Sequence, residues 1–227
     1  MKSIFKIFSI LFRQKIQDHI GETVKNADSW EDMIFINRGH LGGYVKSDPV
    51  NWPHGDPMTY TPELWDWLVD QYNPRVFLDV GCAEGHAVKH MLEKGCEAWG
   101  IDGCLEVFKT AVVPQDRIII HDYSHGPVSA EFNASRPDMV YSCEFVEHVE
   151  RIYMENFLKT FDLARVVCFT HAFEDQPGHH HVNCQAPEFW IAVMEERGFH
   201  WNEKASMISR RIAGKSHWER SGLIFTK

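Results

Sequence analysis

Two groups of side chains in this chain have the types and the spacing to do chemistry. The first is Glu144, Glu147 and His148, within SCEFVEHVE. In a helix beginning at about Cys143 these residues stand at i, i+3 and i+4, so two carboxylates and an imidazole project from one face. Such a group binds a divalent cation, whereas bare carboxylates held together repel one another. The second is VFLDVGCAEG, residues 76–85, followed by Asp102 at the end of GCEAWGID. Gly81, Ala83 and Gly85 permit a sharp turn and a close approach of backbone to a ligand. A carboxylate about 20 residues further on, at the end of the next strand, accepts the hydroxyls of a ribose, which is the arrangement of a nucleoside site.

These residues need a scaffold, and the flanking sequence supplies one. The apolar run before Gly81 reads as a strand, residues 86–94 as a helix, and the segment ending at Asp102 as a second strand. Residues 117–120, 139–142, 165–170 and 223–226 read as further strands, and PELWDWLVDQ, residues 62–71, as a helix that begins on a proline. Alternating strands and helices imply a mostly parallel sheet covered on both faces, with ligands outside the carboxyl ends of its strands. Glu144, Glu147 and His148 follow the fourth strand and therefore fall at that edge.

The turn reads G-x-A-x-G with Asp79 ahead of its first glycine. It resembles motif I of the class I S-adenosylmethionine-dependent methyltransferases. The resemblance implies a single α/β domain, a Rossmann-like doubly wound sheet of seven mostly parallel strands with helices on both faces. It also implies that Asp79, Gly81, Ala83 and Gly85 hold the methionine part of the cofactor and Asp102 its ribose, with Ala83 where glycine is commoner. The third strand ends in HDYS, where the same resemblance puts a polar contact to adenine, at Asp122 with Tyr123.

The ExxEH pattern resembles a metal site of two branches of that family, the small-RNA 2′-O-methyltransferases and the O-methyltransferases of ubiquinone biosynthesis. In the RNA branch a histidine after the fifth strand completes the site. The segment GHHHVNCQAPEFW aligns His181 with that ligand, with His180 and His179 as its neighbours in register. The implied metal set is Glu144, Glu147, His148 and His181, whose nitrogen and oxygen donors suit Mg²⁺, Mn²⁺, Fe²⁺ or Zn²⁺. The chemistry fits, because an aliphatic hydroxyl is a weak nucleophile that a cation lowers in pKa and positions. His180, or His148 where no metal takes part, is the candidate proton acceptor.

Composition bounds the substrate. The chain has 227 residues, 44% of them hydrophobic, enough for one α/β domain with a sizeable core. A net charge of −9 argues against a grip on long nucleic acid. Six cysteines lie without zinc-ribbon spacing and read as reduced thiols of a cytoplasmic protein. Arg210, Arg211, Lys215 and Arg220 form a local basic patch that suits an anionic acceptor. The expected activity is metal-assisted O-methylation of a small hydroxylated molecule or saccharide. The alternatives are 2′-O-methylation of an RNA end and a non-catalytic cofactor-binding subunit.

Residues 61–227 are expected to form the methyltransferase domain and residues 1–60 an appendage to it. Within the latter, GHLGGYVKSDPVNWPHGDPMTY is too rich in Gly and Pro for a long regular element, and as a lid it would turn Tyr44, Trp52, His54 and Tyr60 toward a substrate. SIFKIFSILF is apolar but broken by Lys6, too short to span a bilayer and without a cleavage site. It reads as an amphipathic helix that packs on the domain, self-associates or rests on a membrane surface. Deleting residues 1–15 should therefore lower the melting temperature or change the sedimentation behaviour if the helix packs. A deletion that abolishes liposome binding and leaves stability alone marks a surface anchor instead.

Overall fold

The computed structural model describes residues 56–104, 110–128, 136–178 and 180–227. The amino-terminal helix, Tyr44, Trp52, His54 and His179 lie outside the described residues. Seven strands form one sheet: β1 (Val76–Val80), β2 (Glu97–Asp102), β3 (Ile118–Ile120), β4 (Met139–Ser142), β5 (Val166–Phe169), β6 (His200–Trp201) and β7 (Leu223–Thr226). Their order is β3-β2-β1-β4-β5-β7-β6. The pairs from β3 across to β5 are parallel, while β7 runs antiparallel to both β5 and β6. The order reverses between β1 and β4, the switch point at which an open parallel sheet leaves a crevice at its carboxyl edge.

The strands are apolar on both faces because both faces are covered. Successive side chains alternate, so Phe77, Met139, Tyr141, Cys168 and Ile224 enter one apolar layer. Leu78, Val140, Val167, Phe169 and Phe225 enter the other. Helices α1 (Pro62–Tyr72), α2 (His86–Glu93), α5 (Glu203–Ala213) and α6 (His217–Ser221) contribute Leu64, Trp65, Leu68, Val88, Met91, Ala205 and Trp218 to the first layer. Helices α3 (Met154–Phe161) and α4 (Pro187–Glu196) contribute Phe157, Phe161, Trp190 and Met194 to the second.

Local chemistry sets the ends of these elements. Pro62 starts α1, and Asn73 stops it at φ 43° with its N–H on the Val69 carbonyl. β3 begins at Ile118 rather than at 117, because residues 115–117 close a 3₁₀ turn with the Arg117 N–H on the Pro114 carbonyl. The basic patch expected in the tail is partly structural: Arg210 Nε donates to the Gly222 carbonyl at 2.8 Å, pinning the turn into β7. Among the described residues no helix is long and apolar enough to cross a membrane.

Phe169 is fully buried, stacked on Phe225 at 5.5 Å and set against Trp190 at 5.6 Å. Phe169→Ala should therefore cost about 3 to 5 kcal/mol of unfolding free energy in urea titrations. A loss below about 1 kcal/mol would mean that this layer is not close-packed.

Candidate active site

The site is built at the carboxyl edge, on both sides of the β1–β4 switch. After β1 the chain turns through Gly81, Ala83 and Gly85 at φ 78°, 44° and 82°. The Gly81 and Cys82 N–H groups both donate to the Ile101 carbonyl, at 2.8 and 3.1 Å, which lays the turn over the end of β2. A Cβ on Gly81 would lie 2.8 Å from the Phe145 side chain. Glycine is thus required there by conformation and by space.

Asp102 ties this turn to the strand beside it. Its Oδ2 accepts the Ala83 N–H at 2.9 Å and its Oδ1 the Cys104 N–H at 2.8 Å. Burial pushes the Asp102 carboxyl up to about 6 against the opposing pull of those two bonds. Asp79 is also buried, and burial together with the charge of Asp102 pushes it up to about 8. Past β3, Asp122 caps a 3₁₀ turn by accepting the Ser124 N–H at 2.8 Å. Tyr123 turns inward, its hydroxyl 2.9 Å from Thr160 Oγ1 and its ring against Phe145 and Phe157. Of the two residues expected at adenine, Tyr123 is thus taken up by packing, and Asp122 remains a buried polar side chain beyond the carboxyl end of β3.

The helix expected to start at Cys143 does not form. Glu144 adopts a left-handed backbone, φ 52°, and donates its N–H to Thr170 Oγ1 at 2.7 Å. A residue in that conformation cannot continue a right-handed helix, and a 3₁₀ turn, Val146–His148, follows instead. Glu147 and His148 nevertheless converge with His181, their ligand atoms all within 4.8 Å of one another. The loop is stitched to the ExxEH segment, since the Val182 and Asn183 N–H groups both donate to the Glu147 carbonyl at 2.9 and 3.1 Å. His181 Nδ1 lies 3.1 Å from the Gln176 carbonyl. A proton held there leaves Nε2 as the free donor atom.

Glu147 is fully buried, and neither of its carboxylate oxygens has a hydrogen-bond partner. Burial, and then the adjacent Glu144 carboxylate, push its pKa well above the usual range. An orphaned buried carboxylate facing two imidazoles fits a divalent cation. Glu144 lies against Glu147 but outside the 4.8 Å group. Its own partners are Thr170 Oγ1 at 3.3 Å and His217 Nδ1 at 3.5 Å. His180, at φ 49°, pairs with Glu150 at 3.6 Å instead of joining the three.

Sequence reasoning passed over Thr170, Asp56 and His217. Thr170 directly follows β5, which spans Val166–Phe169 rather than the expected 165–170, so its position at the sheet edge was a usable signal. Asp56 lies beside His217, Oδ2 to Nε2 at 2.7 Å, and that bond holds the Asp56 carboxyl below its usual range. Burial works against a charged His217, but Asp56 and the charge of Glu144 hold its pKa above the ordinary value. No pattern in the sequence links these two residues.

Residues 59–165 match a family described as a methyltransferase domain. The plantazolicin methyltransferase BpumL, solved with a triazolic desmethylPZN analog and SAH, aligns at 13% identity over 96% of each chain, with a TM-score of 0.54. The methyltransferase domain of bacterial CtHen1 aligns at 18% identity over 73% of this chain and 97% of that one, with a TM-score of 0.50. No curated protein matches the chain. The sheet order, the acidic glycine turn after β1 and the domain match define a Rossmann-like methyl-transfer enzyme. The chain carries a methyltransferase domain, and its sheet order and glycine turn are those of the class I S-adenosylmethionine-dependent enzymes.

An acid whose folded pKa lies above its unfolded value near 3.9 destabilises the fold as pH rises between the two values. For Asp79 that window runs from about 4 to about 8. Ligand-free Asp79→Asn should therefore melt above wild type, by a margin that widens from about pH 5 to about pH 8. A margin independent of pH would mean that Asp79 ionises like a surface carboxylate.

Proposed function

We propose that this enzyme methylates a hydroxyl on a small molecule or saccharide, with a divalent cation as helper. The observation that carries the reading is Glu147, fully buried, without a hydrogen-bond partner on either oxygen, and facing His148 and His181. Those three residues hold the cation, and Glu144 lies against Glu147 as the fourth group of the set. A bound cation lowers the pKa of a hydroxyl and orients it for in-line attack on a sulfonium methyl. Mg²⁺, Mn²⁺, Fe²⁺ and Zn²⁺ all accept this donor set.

The chain's own residues do the rest. Asp79 and the turn Gly81, Ala83 and Gly85 receive the methionine part of S-adenosylmethionine. Asp102 receives the ribose hydroxyls, on oxygens already oriented by two backbone N–H groups, and Asp122 faces the adenine edge. His180, poised by Glu150, takes the proton of the acceptor. The acidic chain and the diversion of Arg210 to a backbone carbonyl favour a small acceptor over an RNA end. A cytoplasmic location and contacts of the amino-terminal segment with a second copy or a membrane surface belong to the same reading.

Two measurements test it. Asp102→Ala should weaken cofactor binding in calorimetry by about 1.5 to 3 kcal/mol, the worth of hydrogen bonds to a charged group. In a screen of hydroxyl acceptors, turnover should fall with chelator, return with Mn²⁺, and drop in Glu147→Gln far more than cofactor affinity does. A cation must displace protons from the histidines and from Glu147, whose carboxyl pKa burial pushes up, so metal affinity should weaken as pH falls. Turnover indifferent to chelator overturns the cation.

A further inference from the structure

We propose that His217, locked by Asp56, is a positioning residue that holds the Glu144 carboxylate against Glu147 at the cation site; this rests on the cation reading above. Three distant parts of the chain meet here. His217 is the first residue of α6, Asp56 precedes α1, and Glu144 follows β4. Each ring nitrogen of His217 faces a carboxylate oxygen, Nε2 to Asp56 Oδ2 at 2.7 Å and Nδ1 to Glu144 Oε2 at 3.5 Å.

Both ends of this chain of contacts are anchored. The other oxygen of Asp56 accepts the Met58 N–H at 2.8 Å, and its carbonyl accepts the Thr59 N–H at 2.9 Å. The residue after His217 is Trp218, fully buried, stacked on Tyr141 of β4 at 5.1 Å and donating from Nε1 to Ser209 Oγ at 3.0 Å. Ser216 fixes the start of α6 by accepting the Glu219 N–H at 3.2 Å. The imidazole is thus presented by a helix bolted to the strand that leads into Glu144.

Glu144 is gripped from the opposite side by Thr170, which takes its N–H and contacts Oε1. One carboxylate oxygen therefore meets Thr170 and the other His217. The strained backbone of Glu144 is what aims it there, and such strain persists only where the surroundings over-determine it. Partners that orient the groups of a metal site typically set affinity within a factor of 10 to 100.

The test is Mn²⁺ binding to the full chain, by calorimetry and by the electron paramagnetic resonance signal of the free ion. Wild type should bind one Mn²⁺ and Glu147→Gln should lose it. His217→Ala and Asp56→Asn should each weaken binding by about 10-fold or more. His217→Gln, which keeps an N–H donor, should recover part of the affinity. The double variant Asp56→Asn/His217→Ala should be no weaker than His217→Ala alone, because Asp56 acts through His217. Asp56→Asn keeps the Met58 contact and serves if His217→Ala fails to fold. Wild-type affinity in both Asp56→Asn and His217→Gln, with Glu147→Gln inactive in binding, overturns the positioning role and leaves the cation reading intact. Additive losses in the double variant overturn it as well. A wild type that binds no Mn²⁺, or a Glu147→Gln that binds like wild type, overturns the cation reading and this role with it.

Discussion

The interaction on which this active site depends is the burial of carboxylates at one edge of the sheet. Asp79, Asp102, Asp122 and Glu147 are each less than a tenth exposed. An ionised carboxylate in such surroundings costs several kcal/mol unless something compensates it, so an uncompensated one keeps its proton instead. That is the direction in which Asp79, Asp102 and Glu147 all move. The two apolar layers on either side of the sheet offset this unfavourable edge. Three fully buried tryptophans, Trp65, Trp190 and Trp218, are distributed over both layers.

Much of the scaffold was legible because its signals are local. The β1 run, the turn at Gly81 to Gly85 and the spacing to Asp102 depend on residues that are neighbours in sequence, and the backbone obeys them. The fourth and last strands begin and end where their apolar runs do. What sequence could not carry was the fate of the segment after β4. Glu144 to His148 has helical spacing, but Thr170, 26 residues away, captures the Glu144 N–H and diverts the backbone. A tertiary contact overrides local periodicity there.

The overridden helix matters less than it would elsewhere. Glu147 and His148 are adjacent in sequence, and adjacent residues on a 3₁₀ turn still reach a common loop when that loop is tied to them. The Val182 and Asn183 amides on the Glu147 carbonyl supply the tie. Glu147, His148 and His181 therefore come together without the helix expected for the first two, and His181 was reached through the family resemblance rather than from residue types alone. Glu144 fell out of the group for the same reason that the helix did.

The Asp102 side and the Glu147 side of the cleft answer the burial problem differently. Asp102 already has two backbone N–H donors, so its orientation is settled before any ligand arrives. Neither Glu147 oxygen has such a partner, and the charge of the neighbouring Glu144 opposes its ionisation. A positive charge is worth more to the second than to the first, because it relieves both a missing hydrogen bond and a like-charge contact. Preorganisation on the Asp102 side fixes both carboxylate oxygens, so that a ligand held there would pay little further ordering cost. On the Glu147 side the same physics leaves a buried acid beside another, and any cation bound there would be coupled to the ionisation of the pair.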